Sequence, residues 1–386
     1  MARPILRTAF CDRIGIEYPI VSAGMGPVAG TGAPVATAEL AAAVSNAGGL
    51  GVIGGVAYSP DVLRAEIRKL RTLTDKPFAV DLLLAPNFLV PQTGTRSAAP
   101  RPDQLPKAHV EAIERIAASL GIELKQAPPD TGKSGSWVPP GQSWAGSQME
   151  VLLEEEIPVF ASGLGTPKPF ADALHANGTA ILSLVGTVKA ARQVAADGAD
   201  YVVAQGTEAG GHTGKIGTLA LVPQVIEAVA PTPVIAAGGI ASGRTLAGVL
   251  ALGADAAWCG TAFLVANEAN QPALQKQRIL AAAAEDTVVT RLYSGKTMRN
   301  ITNALIEAWE REGLHALPMG AQGALIRDLQ YSIEQAGRHE LLMNAAGQAA
   351  GLLTKQRPAA DILAEMVAEA AELLSSGLTQ RVRVAR

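Results

Sequence analysis

Short apolar runs of strand length alternate with helical patterns through the first 264 residues. Between the runs, segments such as TAELAAAVSNAG and GRTLAGVLALG place apolar residues three and four positions apart and end on glycine, as amphipathic helices often do. Repeated β-then-α units of this kind require parallel strands, and eight of them predict an α/β fold closed into a (β/α)₈ TIM barrel. The eight runs are residues 19–25, 50–55, 78–84, 159–164, 180–185, 201–206, 234–240 and 256–264.

The composition agrees with such a barrel. Hydrophobic residues make up 48% of the 386 residues but aromatic residues only 4%, so the interior must consist mainly of Ala, Val, Leu and Ile. That interior suits parallel strands that are covered by helices. The net charge of −3 and the lack of a basic run argue against nucleic acid as a partner and favour a small-molecule substrate.

The N-terminal segment and the cysteines indicate the compartment. Charges interrupt the sequence MARPILRTAFCDRIG, and no apolar stretch reaches the roughly 18 residues that a membrane span needs. We therefore expect a cytoplasmic protein without a membrane partner. Cys11 and Cys259 are too few for a disulfide framework and are predicted to be buried free thiols.

Two regions depart from the repeat. Residues 122–146 are rich in Pro, Gly and Ser and predict an excursion in the third βα unit, with an open role. Residues 265–357, after the eighth strand, predict a mostly helical cap inserted into the barrel. Residues 361–375 then predict an amphipathic helix that closes the ring. The expected domains are a barrel of residues 1–264 and 358–386 and a cap of residues 265–357.

Several motif matches are rejected on their context. The G-x-G-x-x-G of residues 49–54 follows a helix and lies within a strand, whereas the dinucleotide fingerprint follows a strand and opens a helix. Residues 132–134 resemble the end of a Walker A motif, but Ala127 stands where that motif needs glycine. No metal site is predicted, because metal-ligand spacing is lacking for His109, His175, His315 and His339.

The stretch QGTEAGGHTG, residues 205–214, directly follows the sixth strand, where barrels carry their catalytic groups. Its glycines allow the backbone to approach a planar ligand, and His212 can accept or donate a proton near neutral pH. The ordinary alternative is a glycine-rich loop with an incidental histidine. The position after a barrel strand favours a functional imidazole.

Two further glycine motifs end the seventh and eighth strands. They are residues 237–240 (AGGI) and 259–261 (CGT), and residues 242–244 (SGR) open the helix after the first. In barrels the loops after these two strands form the standard phosphate site, because glycines expose backbone N–H groups to the anion. Packing explains any one glycine equally well, but two motifs at the expected strand ends predict a phosphate site.

With these motifs, the chain resembles the nitronate monooxygenase family, formerly called 2-nitropropane dioxygenases, whose members are FMN-dependent barrels. The resemblance extends over nearly the whole chain. It rests on the motifs at residues 23–25 (AGM), 46–51 (NAGGLG), 77–82 (PFAVDL), 205–212, 237–239, 260–261 (GT) and 347–352 (GQAAGL).

The resemblance implies FMN as the cofactor and His212 as the catalytic base. Family members take a proton from a neutral nitroalkane, or bind the ready-made nitronate, then pass an electron to the flavin and let O₂ react. The implied flavin-lining and ring-contacting or ribityl-contacting residues are Ala23, Gly24, Met25, Asp81, Gln205, Gly210 and Gly211. The implied phosphate-binding residues are Gly238, Gly239, Gly260 and Thr261.

The chain also departs from the family pattern. The family commonly has Asn at the position of Asp81, and its usual basic residue after the catalytic histidine is Thr213 here, followed by Lys215. Two other functions stay open. One is an FMN-dependent enoyl or acyl-thioester reductase that uses NAD(P)H, and the other is a flavin-binding or phosphate-binding barrel without turnover. A homodimer is one possible assembly.

Overall fold

Eight parallel strands form a barrel in the computed structural model, which describes residues 5–28, 33–84, 104–128 and 142–382. The strands are β1 (Ile20–Ser22), β2 (Gly51–Gly54), β3 (Phe78–Leu84), β4 (Val159–Gly165), β5 (Ala180–Val185), β6 (Tyr201–Gln205), β8 (Val234–Ala237) and β9 (Ala256–Cys259). Their order around the sheet is β1-β9-β8-β6-β5-β4-β3-β2, and a parallel bridge between Val21 and Leu50 joins the two ends. This is the (β/α)₈ barrel that the sequence predicts.

The described helices surround this sheet and build the cap. None of them is both long and apolar enough to cross a membrane. In chain order they are α1 (Ala9–Ile14), α2 (Ala38–Asn46), α3 (Pro60–Leu73), α4 (Lys107–Ser119), α5 (Gln142–Glu154), α6 (Ala171–Ala176), α7 (Val188–Ala196), α8 (Thr218–Val229), α9 (Gly243–Ala251), α10 (Thr261–Leu264), α11 (Ala273–Ala281), α12 (Ala304–Glu312), α13 (Ala321–Gln335), α14 (Ala359–Glu372) and α15 (Leu378–Arg381).

The barrel interior is filled by small and branched side chains, and α1 closes its lower end. Phe10 of α1 packs edge to face on Tyr201 at the start of β6, with ring centroids 4.9 Å apart. Cys11 and Cys259 are buried free thiols, as predicted. Because the N-terminal ends of the strands are covered in this way, a ligand has access to the barrel from the C-terminal ends of the strands.

The last long helix completes the ring, as its amphipathic pattern predicts. Helix α14 packs against α2 and α9. Its Glu369 carboxylate accepts a hydrogen bond from the backbone N–H of Gly243, at 2.7 Å, and caps the first turn of α9. The helix therefore both buries its apolar face and satisfies a neighbouring helix terminus.

The cap contains the predicted helices and also a hairpin that was not predicted. Strands β10 (Thr287–Thr290) and β11 (Met298–Ile301) pair antiparallel between α11 and α12. Helix α4, from the third βα unit, contributes Ile113 and Ile116 to the apolar cluster that holds Trp309 and Leu329 of the cap. The domain limits given above stay a prediction, but this part of the chain packs with the cap.

The excursion at residues 122–146 is described only in part. Residues 122–128 run beside α13, where the N–H of Lys125 donates to Ser332 Oγ at 2.8 Å and the N–H of Ala127 donates to Asp328 Oδ1 at 3.1 Å. Residues 129–141, with the rejected Walker-like motif, lie outside the described residues. Residues 122–128 therefore border the cap, whereas residues 142–146 begin helix α5 and do not belong to an irregular excursion.

Strand β11 also pairs with a two-residue strand, β7 (Gly211–His212), in the loop after β6. The N–H of Thr213 donates to the Thr297 carbonyl at 3.2 Å, and the Thr297 hydroxyl donates to the Thr213 carbonyl at 2.9 Å. These bonds join the cap to the loop after β6. The cap is therefore fixed over the C-terminal ends of the barrel strands.

Candidate active site

A cavity of about 680 Å³ lies between the C-terminal ends of the barrel strands and the cap. It is the natural place for a ligand in this fold. All twelve residues that the sequence nominated border it: Ala23, Gly24, Met25, Asp81, Gln205, Gly210, Gly211, His212, Gly238, Gly239, Gly260 and Thr261. These residues therefore share one cavity, while the role of each residue stays a prediction.

The barrel side of the cavity, which we call the floor, consists mainly of main chain. Gly238 and Gly239 follow β8 with φ of +98° and +76°, a conformation that L side chains rarely adopt. A Cβ at Gly260 would meet only Ala23 Cβ, at 3.4 Å. Within the described ranges, the N–H groups of Gly239 and Thr261 have no protein acceptor. Such N–H groups beside the first turn of short helix α10 suit a phosphate.

Two longer helices nearby begin on protein carboxylates instead. The Glu208 carboxylate accepts from the N–H of Thr218, at 2.9 Å, at the start of α8, and Glu369 does the same at the start of α9. The SGR motif at residues 242–244 opens a helix as predicted, but Glu369 occupies its N-terminus. The groups on the floor that remain available to bind an anion are therefore the Gly238–Gly239 turn and the start of α10.

Gly210 has a packing reason to be glycine. A Cβ there would lie 2.6 Å from the Gly347 nitrogen and from the Ala346 carbonyl carbon, where the GQAAGL segment crosses the loop after β6. The N–H of Gln348 donates to the Glu208 carbonyl, at 2.9 Å, and that of Gly347 to Thr261 Oγ1, also at 2.9 Å. The GQAAGL motif of residues 347–352 thus connects the loop after β6 to the floor, which gives the motif a structural role.

His212 stands on β7 with its ring facing the cavity. Its Nε2 lies 2.9 Å from the Ser294 hydroxyl, which belongs to the turn between β10 and β11. The imidazole surface is open to the cavity, but the surrounding protein desolvates it. This desolvation lowers the pKa of His212 to about 4, and the Lys296 ammonium adds to the effect. The ring is therefore neutral at neutral pH and can accept a proton.

Asp81 lies on β3 between two glycine backbones. A Cβ at Gly163 would come 2.9 Å from Asp81 Oδ1, and a Cβ at Gly24 would come 2.7 Å from Oδ2. Oδ1 is buried without a hydrogen-bond partner among the described residues. Burial raises the pKa of Asp81 well above its usual value, and the backbone of Gly163 offsets only part of this. The environment therefore favours the protonated carboxyl.

The cap side of the cavity, which we call the roof, includes one face of α13 and residues of the β10–β11 hairpin such as Tyr293 and Ser294. Residues spaced three and four apart on one helix face border the cavity: Gly323, Arg327, Gln330, Tyr331 and Glu334. Arg327 also donates to the carbonyl oxygens of Ala127, at 3.0 Å, and of Pro128. Burial raises the pKa of Glu334. No local sequence pattern indicates these residues, because only the docking of the cap brings them to the site.

Comparison with known proteins gives a consistent family. The sequence model described as nitronate monooxygenase matches residues 7–369. A nitronate monooxygenase of Pseudomonas aeruginosa is 34% identical, over 93% of this chain and 98% of its own length. The solved nitroalkane oxidase of Streptomyces ansochromogenes is 32% identical, with a TM-score of 0.76 over 96% of this chain and 99% of that one.

A further relative acts in a different way according to its name. It is the (3aS,4S,5R,7aS)-5-hydroxy-7a-methyl-1-oxo-octahydro-1H-indene-4-carboxyl-CoA dehydrogenase of Mycobacterium tuberculosis, which is 34% identical over 79% of this chain and 69% of its own length. Similar chains thus carry names with two kinds of substrate, nitro compounds and a coenzyme A thioester.

Proposed function

The chain belongs to the nitronate monooxygenase family and is an oxidoreductase, and from that premise we propose that it oxidises nitroalkanes or alkyl nitronates with O₂. We propose FMN as its cofactor and His212 as its general base. The observation that carries the proposal is the common cavity: the glycine turns for a phosphate and a neutral imidazole border the same space.

The floor fits the phosphate end of FMN. Gly239 and Gly260 leave room beside the backbone, because a Cβ at either position would meet its nearest neighbour only at 3.4 Å. The N–H of Thr261 lies at the first residue of helix α10, beside the same space. Residues 23–25, Gln205 and Gly211 would border the flavin ring or its ribityl chain. When bound, the flavin supplies the electron acceptor that connects substrate oxidation to O₂.

His212 would take the proton from the carbon that bears the nitro group. Because the pKa of His212 is lowered to about 4, the imidazole is in its proton-accepting form throughout the neutral range. The Ser294 hydroxyl holds Nε2 at 2.9 Å and so fixes the plane of the ring. Ser294 is thus a positioning residue, and it reaches His212 only because β11 pairs with β7.

Substitution of the base tests this proposal most directly. A neutral nitroalkane still carries the proton that His212 would remove, whereas a nitronate has lost it already. His212→Asn should therefore lower turnover of 2-nitropropane by about 10²- to 10⁴-fold and largely spare propane-2-nitronate. Steady-state assays of O₂ consumption with both substrates measure this difference, and the absorbance spectrum reports whether FMN stays bound.

The matched control is His175→Asn, because His175 contacts Asp200 on the outside of the barrel and does not border the cavity. It should leave both activities unchanged. Equal losses on both substrates in His212→Asn would mean that the imidazole binds the nitro group or shapes the cavity. Full activity on both would make His212 an incidental loop residue.

A second candidate is oxidoreduction of an acyl thioester with NAD(P)H. Similarity to the coenzyme A thioester dehydrogenase favours it, and the polar roof offers groups for a substrate longer than a nitroalkane. Anaerobic mixing of the FMN-loaded protein with NADH or NADPH separates the two functions. Rapid bleaching of the flavin by a nicotinamide supports the reductase, and bleaching by propane-2-nitronate alone supports the monooxygenase.

A further inference from the structure

A carboxyl group is buried at the floor of the cavity, and no cation among the described residues balances its charge. Only 9% of the Asp81 surface is exposed, and its Oδ1 has no hydrogen-bond partner among the described residues. An isolated carboxylate in such a place costs several kcal/mol of solvation, which buried acids usually avoid by keeping their proton. A buried acid at this position therefore calls for a functional explanation.

The elements packed around Asp81 contribute backbone, not charge. Gly54 of β2 and Ala161 of β4 are its partners in the sheet, and Gly24 and Gly163 enclose the carboxyl. In the described part of the chain, no ionised side chain acts on it electrostatically. The titratable residues on the cavity wall belong to the loop after β6 and to the cap: His212, Tyr293, Arg327, Tyr331 and Glu334.

We propose that Asp81 acts as a neutral carboxylic acid and donates its O–H hydrogen bond to an acceptor of the bound flavin. This inference rests on FMN as the cofactor in the proposed function. Asp81 borders the same cavity as the glycine turns, so its carboxyl group lies beside the space that a flavin would occupy.

The chemistry of the two forms of the acid explains the choice. A carboxylate only accepts hydrogen bonds, whereas a protonated carboxyl offers one donor and one acceptor, as the amide of Asn does. The flavin ring carries carbonyl oxygens and ring nitrogens that accept hydrogen bonds. An apolar pocket that keeps an acid neutral can thus use it as a donor, and ionisation converts the donor into a repulsive acceptor.

The pH dependence of stability has a definite sign. Because the pKa of Asp81 is raised in the folded protein, its stabilising effect is complete below the pKa of the unfolded chain. It is then lost as the pH rises toward the folded-state pKa. Asp81→Asn removes this titration and keeps a donor and an acceptor. Asp81→Ala removes the titration together with both hydrogen-bonding groups.

The test measures FMN affinity against pH, from about pH 6 to about pH 9, by quenching of flavin fluorescence in wild type, Asp81→Asn and Asp81→Ala. Once Asp81 ionises, wild-type affinity should fall by up to about tenfold per pH unit. Asp81→Asn should lack this fall and bind FMN within a few-fold of wild type at low pH. Asp81→Ala should also lack the fall and should bind FMN about tenfold more weakly than Asp81→Asn at every pH. The ionisations of FMN itself are common to all three proteins.

Infrared difference spectra of the flavin-free protein give a second readout that does not depend on FMN. Wild type should show the C=O stretch of a protonated carboxylic acid at neutral pH, and Asp81→Asn should lack that band. A carboxylate spectrum, or equal pH slopes of FMN affinity in wild type and Asp81→Asn, would overturn the inference. If wild type binds no FMN at any pH, both this inference and the proposed cofactor fail. If FMN binds but Asp81 is ionised, only this inference fails.

Discussion

The floor and the roof of the cavity recognise ligands by different means. On the floor, glycine turns and strand ends at Gly238, Gly239 and Gly260 present main-chain N–H groups. On the roof, α13 presents long polar side chains such as Arg327 and Tyr331. A main-chain site cannot change without moving the backbone, whereas a helix face can exchange side chains freely. The floor therefore suits a constant cofactor and the roof a variable substrate.

The largest effect should come from filling the floor. A Cβ at Gly260 meets only Ala23, so Gly260→Val should fold, but its branched side chain should occupy the space that a phosphate needs. We expect FMN affinity to fall about 100-fold or more, which corresponds to about 2.7 kcal/mol. Titration of the flavin-free protein with FMN, followed by fluorescence, measures this loss.

The control for Gly260→Val is Gly248→Val on α9. Gly248 is exposed on the barrel surface, and a Cβ there meets nothing within 4 Å. FMN affinity should match that of wild type. Retention of stoichiometric FMN by a folded Gly260→Val would show that the floor does not hold the phosphate, and the contrast between floor and roof would lose its basis.

A change in the roof should have a smaller and different effect. Tyr331→Phe removes a hydroxyl from the cavity wall, and a typical hydrogen bond contributes about 1 kcal/mol. We expect KM for the substrate to rise about threefold to tenfold, with FMN affinity unchanged. Tyr201→Phe, at the opposite end of the barrel, is the matched control. A fall in FMN affinity in Tyr331→Phe would mean that the roof also binds the cofactor.

The smallest effect concerns the pH profile. Since the Lys296 ammonium helps to lower the pKa of His212, Lys296→Met should raise that pKa, although burial still keeps it below the ordinary 6.5. The base works only when neutral, so kcat/KM for a nitroalkane is lost as the pH falls through this pKa. In Lys296→Met, measured from about pH 4 to about pH 8, this loss should begin at higher pH, while activity at pH 7 stays the same.

Lys215→Met provides the comparison, because Lys215 is exposed and does not border the cavity. Its profile should coincide with that of wild type. If the inflection of the kcat/KM profile in Lys296→Met stays in place or moves to lower pH, Lys296 does not lower the pKa of His212. The cap would then not influence the base in the loop after β6.

The floor was predictable from the sequence because local patterns determine it. Each barrel strand is a short apolar run, and the glycine motifs sit directly at strand ends, so topology alone brings residues such as Gly24, His212 and Gly260 together. Burial of both sheet faces makes these runs conspicuous. The same local rule placed the closing helix α14 correctly.

The roof was not predictable in this way. The strands β10 and β11 are four residues each, and their sequences TVVT and MRNI carry no clear alternation, so the segment was expected to be mostly helical. Ser294 and Lys296 reach His212 only through the pairing of β11 with β7. Such contacts depend on how the cap docks, which no short window of sequence encodes.

The pairing of β7 with β11 also determines when, during synthesis of the chain, the candidate active site can be completed. His212 leaves the ribosome well before Met298, its partner in the ladder. The N-terminal part of a chain can begin to fold during synthesis, so barrel strands can assemble while the loop with the histidine still has no partner strand. If His212 is the general base proposed above, the nascent protein would therefore be inactive until both strands of the hairpin have been synthesised. Catalytic competence would then report that translation has passed the cap.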